Sequence, residues 1–292
     1  MKANSLRADA LLLLTAAVWG FAFVAQRAGM EHVGPFTFNA IRFALGGVVL
    51  LPVIRLRKQG RILEPRAWRA GLTAGSVLFL GASLQQIGVV YTTAGKAGFI
   101  TGLYVIIVPL LGLLWGQRPG LGTWVGAMWA VLGLYLLSAA DGLGRISLGD
   151  LLVLCSALFW ACHVLVIGRF SPDHDPILLA CLQFLTCSAL SWGGALVSET
   201  ITSGGIRNAA GPILYAGLLS TGVAYTLQVI AQRRARAAHA AIIMSLEAVF
   251  AALGGWLMLA ESLSFRALAG CGLMLMGTVS SRIRTRDRIV SG

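Results

Sequence analysis

Along this chain, apolar residues run in long blocks that leave no polar face at any helical period, broken by short polar punctuation such as RLRKQGRILEPR (Arg55–Arg66) and DGLGRIS (Asp141–Ser147). A stretch that is apolar all round belongs to a buried or membrane helix rather than to a surface helix. A bilayer core of about 30 Å takes about 20 such residues per crossing. Ten blocks meet that requirement: Ala8–Arg27, Phe36–Ile54, Ala70–Val90, Ala97–Gly116, Leu121–Ala139, Gly149–Gly168, Pro176–Val197, Pro212–Ala231, Ala240–Leu259 and Phe265–Ser281. The pattern therefore predicts an all-α membrane protein of ten transmembrane helices, with short loops and no room for a folded soluble domain. The first block is expected to be a true span, because its apolar run is long and no A-x-A cleavage pattern follows.

Composition agrees. Of 292 residues, 57% are hydrophobic and 12% charged, with a mean hydropathy of +0.81, against roughly 25% charged in soluble domains. The net charge of +12 would suit a nucleic-acid partner, but its placement argues otherwise. With ten crossings, 17 of the 23 basic residues fall on one side, among them Arg55, Arg57, Lys58, Arg61, Arg284, Arg286 and Arg288. Arg27, Lys96, Arg145, Arg207 and Arg266 fall on the other, and Arg42 lies within a span. The positive-inside rule then places both termini in the cytoplasm, as expected of a multi-pass protein of the cell inner membrane. Five cysteines sit inside the spans without a C-x-x-C pair and read as small apolar residues.

The chain repeats itself. DALLLLTAAVW (Asp9–Trp19) returns as DLLVLCSALFW (Asp150–Trp160), and Asp9 with Asp150, Trp19 with Trp160, Pro35 with Pro176 and Phe43 with Phe184 are all 141 apart. Further on the offset becomes 143, where the Leu-Gln pairs at Leu84 and Leu227 coincide, as do Ala97 with Ala240 and Ile100 with Ile243. At an offset of 144, Gly133 falls on Gly277. Two five-helix units are expected, 1–140 and 141–292, with the boundary near Asp141–Arg145. Because five is odd, the second unit enters the membrane from the opposite side. Inverted halves related by a pseudo-two-fold axis in the membrane plane are a hallmark of secondary transporters.

Several stretches resemble the drug/metabolite transporter superfamily in its ten-helix EamA-type branch. These are AAVWGFAFVAQ in the first span, YTTAGKAGFITGLYVIIVPLLGLLWGQ through the fourth, and SLEAVFAALGGWLMLAES in the ninth. The resemblance covers the whole chain. It implies two inverted five-helix repeats around a central cavity, and transport, often efflux, of small organic solutes such as amino acids. Ala248 stands where the ninth helix of many relatives carries a proline, whereas the fourth span keeps Pro109.

Polar residues inside spans are default candidates for function. Arg42, with Asn39 one turn away on the same helix side, can meet a substrate carboxylate; snorkelling or bonding to backbone carbonyls is its other reading. Glu247 is a candidate for proton coupling, or else a neutral or Arg-paired tie between helices. His163, one turn beyond Trp160, can bind substrate or relay protons, and can equally serve in packing. Gln85 and Gln228 are repeat partners, as are Arg42 and Gln183, and Tyr225 lies one turn from Gln228; such residues suit either a cavity lined from both halves or interhelical hydrogen bonding. Trp19, Phe23, Tyr104 and Trp160, near span centres, can wall a planar or cationic solute. Asp9 and Asp150 open their helices and complement the helix dipole, and Pro109 marks a hinge.

H-E-x-x-H, G-x-S-x-G, metal-holding carboxylate clusters and the phosphate loop G-x-x-x-x-G-K-[ST] do not occur. The expectation is therefore a transporter rather than an enzyme, with no cofactor, no metal and no nucleic-acid partner. It should work as a monomer in the lipid bilayer, exporting a small-molecule metabolite, amino acids including aromatic ones being favoured. A membrane scaffold or receptor without transport activity, or an intramembrane enzyme, is the alternative.

Overall fold

The computed structural model describes residues 2–56, 65–92, 94–138, 147–259 and 264–282. The expected repeat boundary near Asp141–Arg145 lies outside the described residues, as do Arg57, Lys58, Arg61, Arg284, Arg286 and Arg288 of the charge pattern.

The first half holds α1 (Lys2–Gly29), α2 (Pro35–Leu56), α3 (Pro65–Tyr91), a span divided into α4 (Ala94–Gly102) and α5 (Tyr104–Leu114), and α6 (Leu121–Ser138). In the second half, α7 (Leu148–Phe170) and α8 (Pro176–Ser198) are followed by a short surface helix, α9 (Ser203–Asn208), which the apolar pattern does not mark. Then comes a composite span of α10 (Ala210–Leu214), a π-helical stretch (Tyr215–Tyr225) and α11 (Thr226–Gln232). A second divided span, α12 (Ala237–Met244) with α13 (Glu247–Leu259), precedes α14 (Phe265–Ser281). Seven of the helical stretches are long and apolar enough to cross a bilayer, and Leu121–Leu137 and Ala237–Leu253 are apolar but shorter. The order of spans is ten in two sets of five, and the start of α1 and the end of α14 lie on one face of the bundle, where Asp9 pairs with Arg282.

The helix ends follow local chemistry. Ser147 and Asp150 form a reciprocal capping box at the start of α7, which satisfies two otherwise orphaned donors. Asp175 caps α8, whose first residue is Pro176; a missing N–H costs nothing there. The start of α2 is capped across the bundle, where Glu199 accepts from the backbone N–H groups of Phe36 (2.7 Å) and Thr37 (2.8 Å).

The two divided spans break at the same point of the repeat. Leu103 N–H donates to the Ile100 carbonyl at 3.2 Å, and Leu246 N–H to the Ile243 carbonyl at 3.1 Å. These bonds reach back three residues instead of four, the tighter 3₁₀ pattern that marks hinges and strain. Leu103 and Leu246 are 143 apart. Pro109 lies inside α5 and buried, six residues beyond the break.

Small residues let the halves meet closely. An added Cβ at Gly126 would stand 2.6 Å from the Gly277 carbonyl, and one at Gly277 would stand 2.7 Å from that of Gly126. Gly133 and Gly270 are reciprocal in the same way, at 2.5 and 2.6 Å. Because Gly126 repeats as Gly270 and Gly133 as Gly277, both 144 apart, this α6–α14 crossing is symmetric about the pseudo-two-fold. In lipid, where no hydrophobic force drives helices together, such close backbone packing holds them. Phe43 and Phe184, a further repeat pair, meet with ring centroids 6.3 Å apart. The outer surface is clad in exposed Leu13, Val48, Leu114, Leu196 and Val197, a continuous apolar surface suited to lipid chains.

Candidate substrate-binding cavity

Between the halves lies a cavity of about 40 Å³. From α1 it takes Trp19, Ala22, Phe23 and Gln26, whose spacing of three, four and seven residues places them on one helix face. Arg42 of α2, Gln85 of α3, Thr101 of α4 and Tyr104 of α5 complete the first half's wall. The second half contributes Trp160, His163 and Val164 of α7, Ser220 and Tyr225 of the π-helical stretch, Gln228 of α11, Met244 of α12 and Glu247 of α13.

Most of this wall is paired by the repeat. Trp19 answers Trp160, Ala22 answers His163 and Phe23 answers Val164 at an offset of 141, while Gln85 and Gln228, Thr101 and Met244, and Tyr104 and Glu247 match at 143. Tyr104 and Glu247 head the helices that follow the two breaks, so the interruption of each span delivers one polar side chain to the cavity.

Tyr225 is the aromatic centre. Its ring centroid lies 4.5 Å from Trp19 and 6.1 Å from each of Trp160, His163 and Phe184. The indoles are fixed by their polar edges: Trp160 Nε1–H donates to Gln85 Oε1 at 2.6 Å, and Trp19 Nε1–H donates to the Ser220 carbonyl at 3.3 Å. The π-helical stretch leaves that carbonyl and the Ala224 carbonyl, which accepts from Thr15 Oγ1 at 3.1 Å, turned towards α1. π-helical turns are frequent at functional sites.

Arg42 is 2% exposed. Its Nε–H donates to Asn39 Oδ1 at 2.9 Å, and its guanidinium carbon lies 4.6 Å from the Phe43 ring centroid and 5.7 Å from that of Phe38. It makes no ion pair with any described carboxylate. Glu247 is 4% exposed and its Oε1 has no hydrogen-bond partner. Other polar atoms on the same wall share that condition, namely Gln26 Oε1, Thr101 Oγ1, Tyr104 Oη, His163 Nδ1 and Gln228 Oε1. Buried polar groups are normally satisfied by protein or water, and this cluster leaves several polar atoms facing the cavity without a protein partner.

Most of the expected site residues converge here. Asn39 and Gln183 stand one layer back: Asn39 holds Arg42, and Gln183 Oε1 pairs with His163 Nε2 at 2.8 Å. Pro109 does not line the cavity. Ala22, Gln26, Thr101, Val164, Ser220 and Met244 were not anticipated. The repeat carried a signal for Ala22 and Val164, and helical spacing one for Gln26 from Phe23 and for Thr101 from Tyr104. Ser220 had none, since only the π-helical geometry turns it inward.

The comparisons with known proteins fit this architecture. The model of the EamA-like transporter family matches twice, over residues 6–139 and 147–282. This chain belongs to that family. As an EamA-type member of the drug/metabolite transporter superfamily it is a membrane transporter of two inverted five-helix repeats around a central cavity. It is 31% identical over 283 residues to an uncharacterized transporter of Archaeoglobus fulgidus, covering 96% of this chain and 87% of that one. It is 28% identical over 287 residues to the threonine/homoserine exporter RhtA of Escherichia coli, covering 94% and 91%. A solved crystal structure shares its fold with a TM-score of 0.80 at 19% identity, over 94% of this chain and 96% of the other.

A volume of about 40 Å³ has room for a water or two at about 30 Å³ each. Ligand pockets usually measure roughly 300–1,000 Å³. The cavity is therefore narrower in this conformation than a usual ligand pocket.

Proposed function

We propose that the protein exports small zwitterionic metabolites across the cell inner membrane by alternating access between its two repeats, read as 1–140 and 141–292. Amino acids, aromatic ones included, are the favoured class. The chain acts as a monomer, with both termini in the cytoplasm and no cofactor or nucleic-acid partner. The observation that carries this reading is a guanidinium and a carboxyl, both almost fully buried and without a charged partner among the described residues, set into one aromatic-walled cavity. An isolated buried charge is costly, and a zwitterion relieves both ends at once. Its carboxylate meets Arg42 through two parallel hydrogen bonds. Its ammonium faces Glu247, with the π-faces of Trp19, Tyr225 and Trp160 to receive it. The exporter name of the Escherichia coli relative favours amino acids as the solute.

Glu247, with His163, is also the proposed site of proton coupling: a proton on the carboxyl satisfies it when the solute has gone. Pro109, whose ring leaves the Val105 carbonyl without its helical donor, is proposed as a flexing point beside the break at Leu103. Uptake of labelled threonine, homoserine and aromatic amino acids into proteoliposomes tests the reading. Saturable uptake above empty liposomes, accelerated by an imposed pH gradient, is expected; uptake equal to empty liposomes for every amino acid contradicts it.

A further inference from the structure

Two ionic clusters outside the cavity obey the same repeat. On the face that carries both chain ends, Asp9 of α1 is 5% exposed; its Oδ1 lies 3.0 Å from His239 Nε2 and its Oδ2 2.8 Å from an Arg282 terminal nitrogen. His239 Nδ1 is 2.8 Å from Ser281 Oγ. On the opposite face, Asp150 of α7 is 6% exposed; its Oδ2 lies 3.7 Å from Lys96 Nζ, and its Oδ1 accepts from Thr92 Oγ1 at 2.5 Å. Asp9 and Asp150 are 141 apart, and Lys96 and His239 are 143 apart. The acid and its partner have thus been kept together in both halves, although the partner is a lysine in one and a hydrogen-bonding histidine, with Arg282 as the cation beside it, in the other.

We propose that these clusters are the two gate latches of the transporter, each holding one mouth of the cavity shut and each parting in turn as its side opens. Three features separate a latch from an ordinary staple. Each pair crosses between the halves: Asp9 of the first half holds α12 and the end of α14 in the second, and Asp150 of the second half holds α4 in the first. The matching partner, Lys96 or His239, rides on the helix segment that ends at a break. Lys96 stands five residues before Thr101, and His239 five before Met244, both of which line the cavity. At 1.5 Å per residue that is about 7.5 Å along the helix, so tilting the segment opens the mouth and moves the wall together. Finally, both latches are closed in the conformation whose cavity is narrow, as alternating access requires of the state between the two openings. Asp9 reads as a latch residue rather than as the helix-dipole partner its place in the sequence suggests, since it lies two turns inside α1.

The latches predict sidedness, which can be read without knowing the solute. In full-length protein with Cys155, Cys162, Cys181, Cys187 and Cys271 replaced by alanine, Ser220→Cys places one thiol on the cavity wall. Its labelling by a membrane-impermeant maleimide is followed from each face of oriented proteoliposomes. Lys96→Met is expected to raise labelling from the face opposite the chain ends by about fivefold or more, the lower end of usual coupling between sites. His239→Asn combined with Arg282→Met, which removes both partners of Asp9, does the same from the face of the chain ends, and Lys96→Arg stays near the parent. Equal acceleration from both faces, acceleration from the wrong face, or no change in either variant overturns the proposal. A second arm serves where a variant does not fold: Lys96→Cys with Asp150→Cys, joined by a short bifunctional thiol reagent. The joined protein should lose labelling from that face and keep it from the other; unchanged labelling from the joined face refutes the latch.

Discussion

The two halves of this molecule share a backbone plan and differ in what they present to the cavity. Where the first half offers Ala22, Phe23, Thr101 and Tyr104, the second offers His163, Val164, Met244 and Glu247 at the matching positions. Arg42 reaches the wall, whereas its counterpart Gln183 stays behind His163. The shared features are those the proposed alternating access would need from both sides: the breaks at Leu103 and Leu246, the Gly126–Gly277 and Gly133–Gly270 crossings, and paired tryptophans. On the proposed mechanism, symmetry belongs to motion. On the proposed function, asymmetry belongs to recognition, because a zwitterion has two unlike ends and a wall identical on both sides cannot favour one orientation.

This contrast is broken most sharply at its most unequal pair. Arg42→Ala should lower kcat/KM for amino-acid transport by about 30-fold or more, the value of a lost charged hydrogen bond at ~2 kcal/mol. Gln183→Ala should cost only a few-fold; equal losses for both in proteoliposome uptake would remove the functional difference between the halves. Next comes the carboxyl. Glu247→Gln should abolish the stimulation of uptake by a pH gradient, while Tyr104→Phe at the mirrored position leaves it intact. The symmetric pairs should behave in the opposite way. Gly133→Ala and Gly277→Ala should each lower stability by about 1–3 kcal/mol through overpacking, and by similar amounts in thermal unfolding in detergent. The smallest difference is expected at the tryptophans. Trp160→Phe removes a 2.6 Å bond to the Gln85 side chain and Trp19→Phe a 3.3 Å bond to a backbone carbonyl, so KM should rise by about fivefold for the first, near 1 kcal/mol, and less for the second.

Much of this was legible in the sequence because membrane spans and repeats are statements about composition and spacing. The ten spans, the inverted duplication and the convergence of Trp19, Phe23, Arg42, Gln85, Tyr104, Trp160, His163, Tyr225, Gln228 and Glu247 all follow from apolar blocks and rare polar residues within them. What escaped is local backbone geometry. Nothing in ITGLYV or MSLEAV announces a break, since Gly102 and Ser245 are small but unremarkable among so many small residues. The proline that drew notice, Pro109, sits within an uninterrupted helix. The π-helical stretch that turns Ser220 inward has no signature in apolar spacing. Asn39 and Gln183 were placed at the wall because a span residue has a depth and a face, whereas contact with the cavity depends on which neighbour stands in front. Asp9 was read from its own helix alone; its partners His239 and Arg282 are more than 200 residues away.

The central claim, that the cavity reads both ends of a zwitterion, is tested most directly by ligand binding to the purified wild-type protein. Calorimetric titrations compare one amino acid with its amide, which lacks the carboxylate, and with its decarboxylated amine and its deaminated acid. The account predicts that the intact amino acid binds and that each truncated analogue binds about tenfold more weakly or worse, a loss of 1.4 kcal/mol or more. Equal affinity for the amino acid and all three analogues would contradict it, leaving Arg42 and Glu247 as structural charges in a cavity that selects only by its aromatic walls.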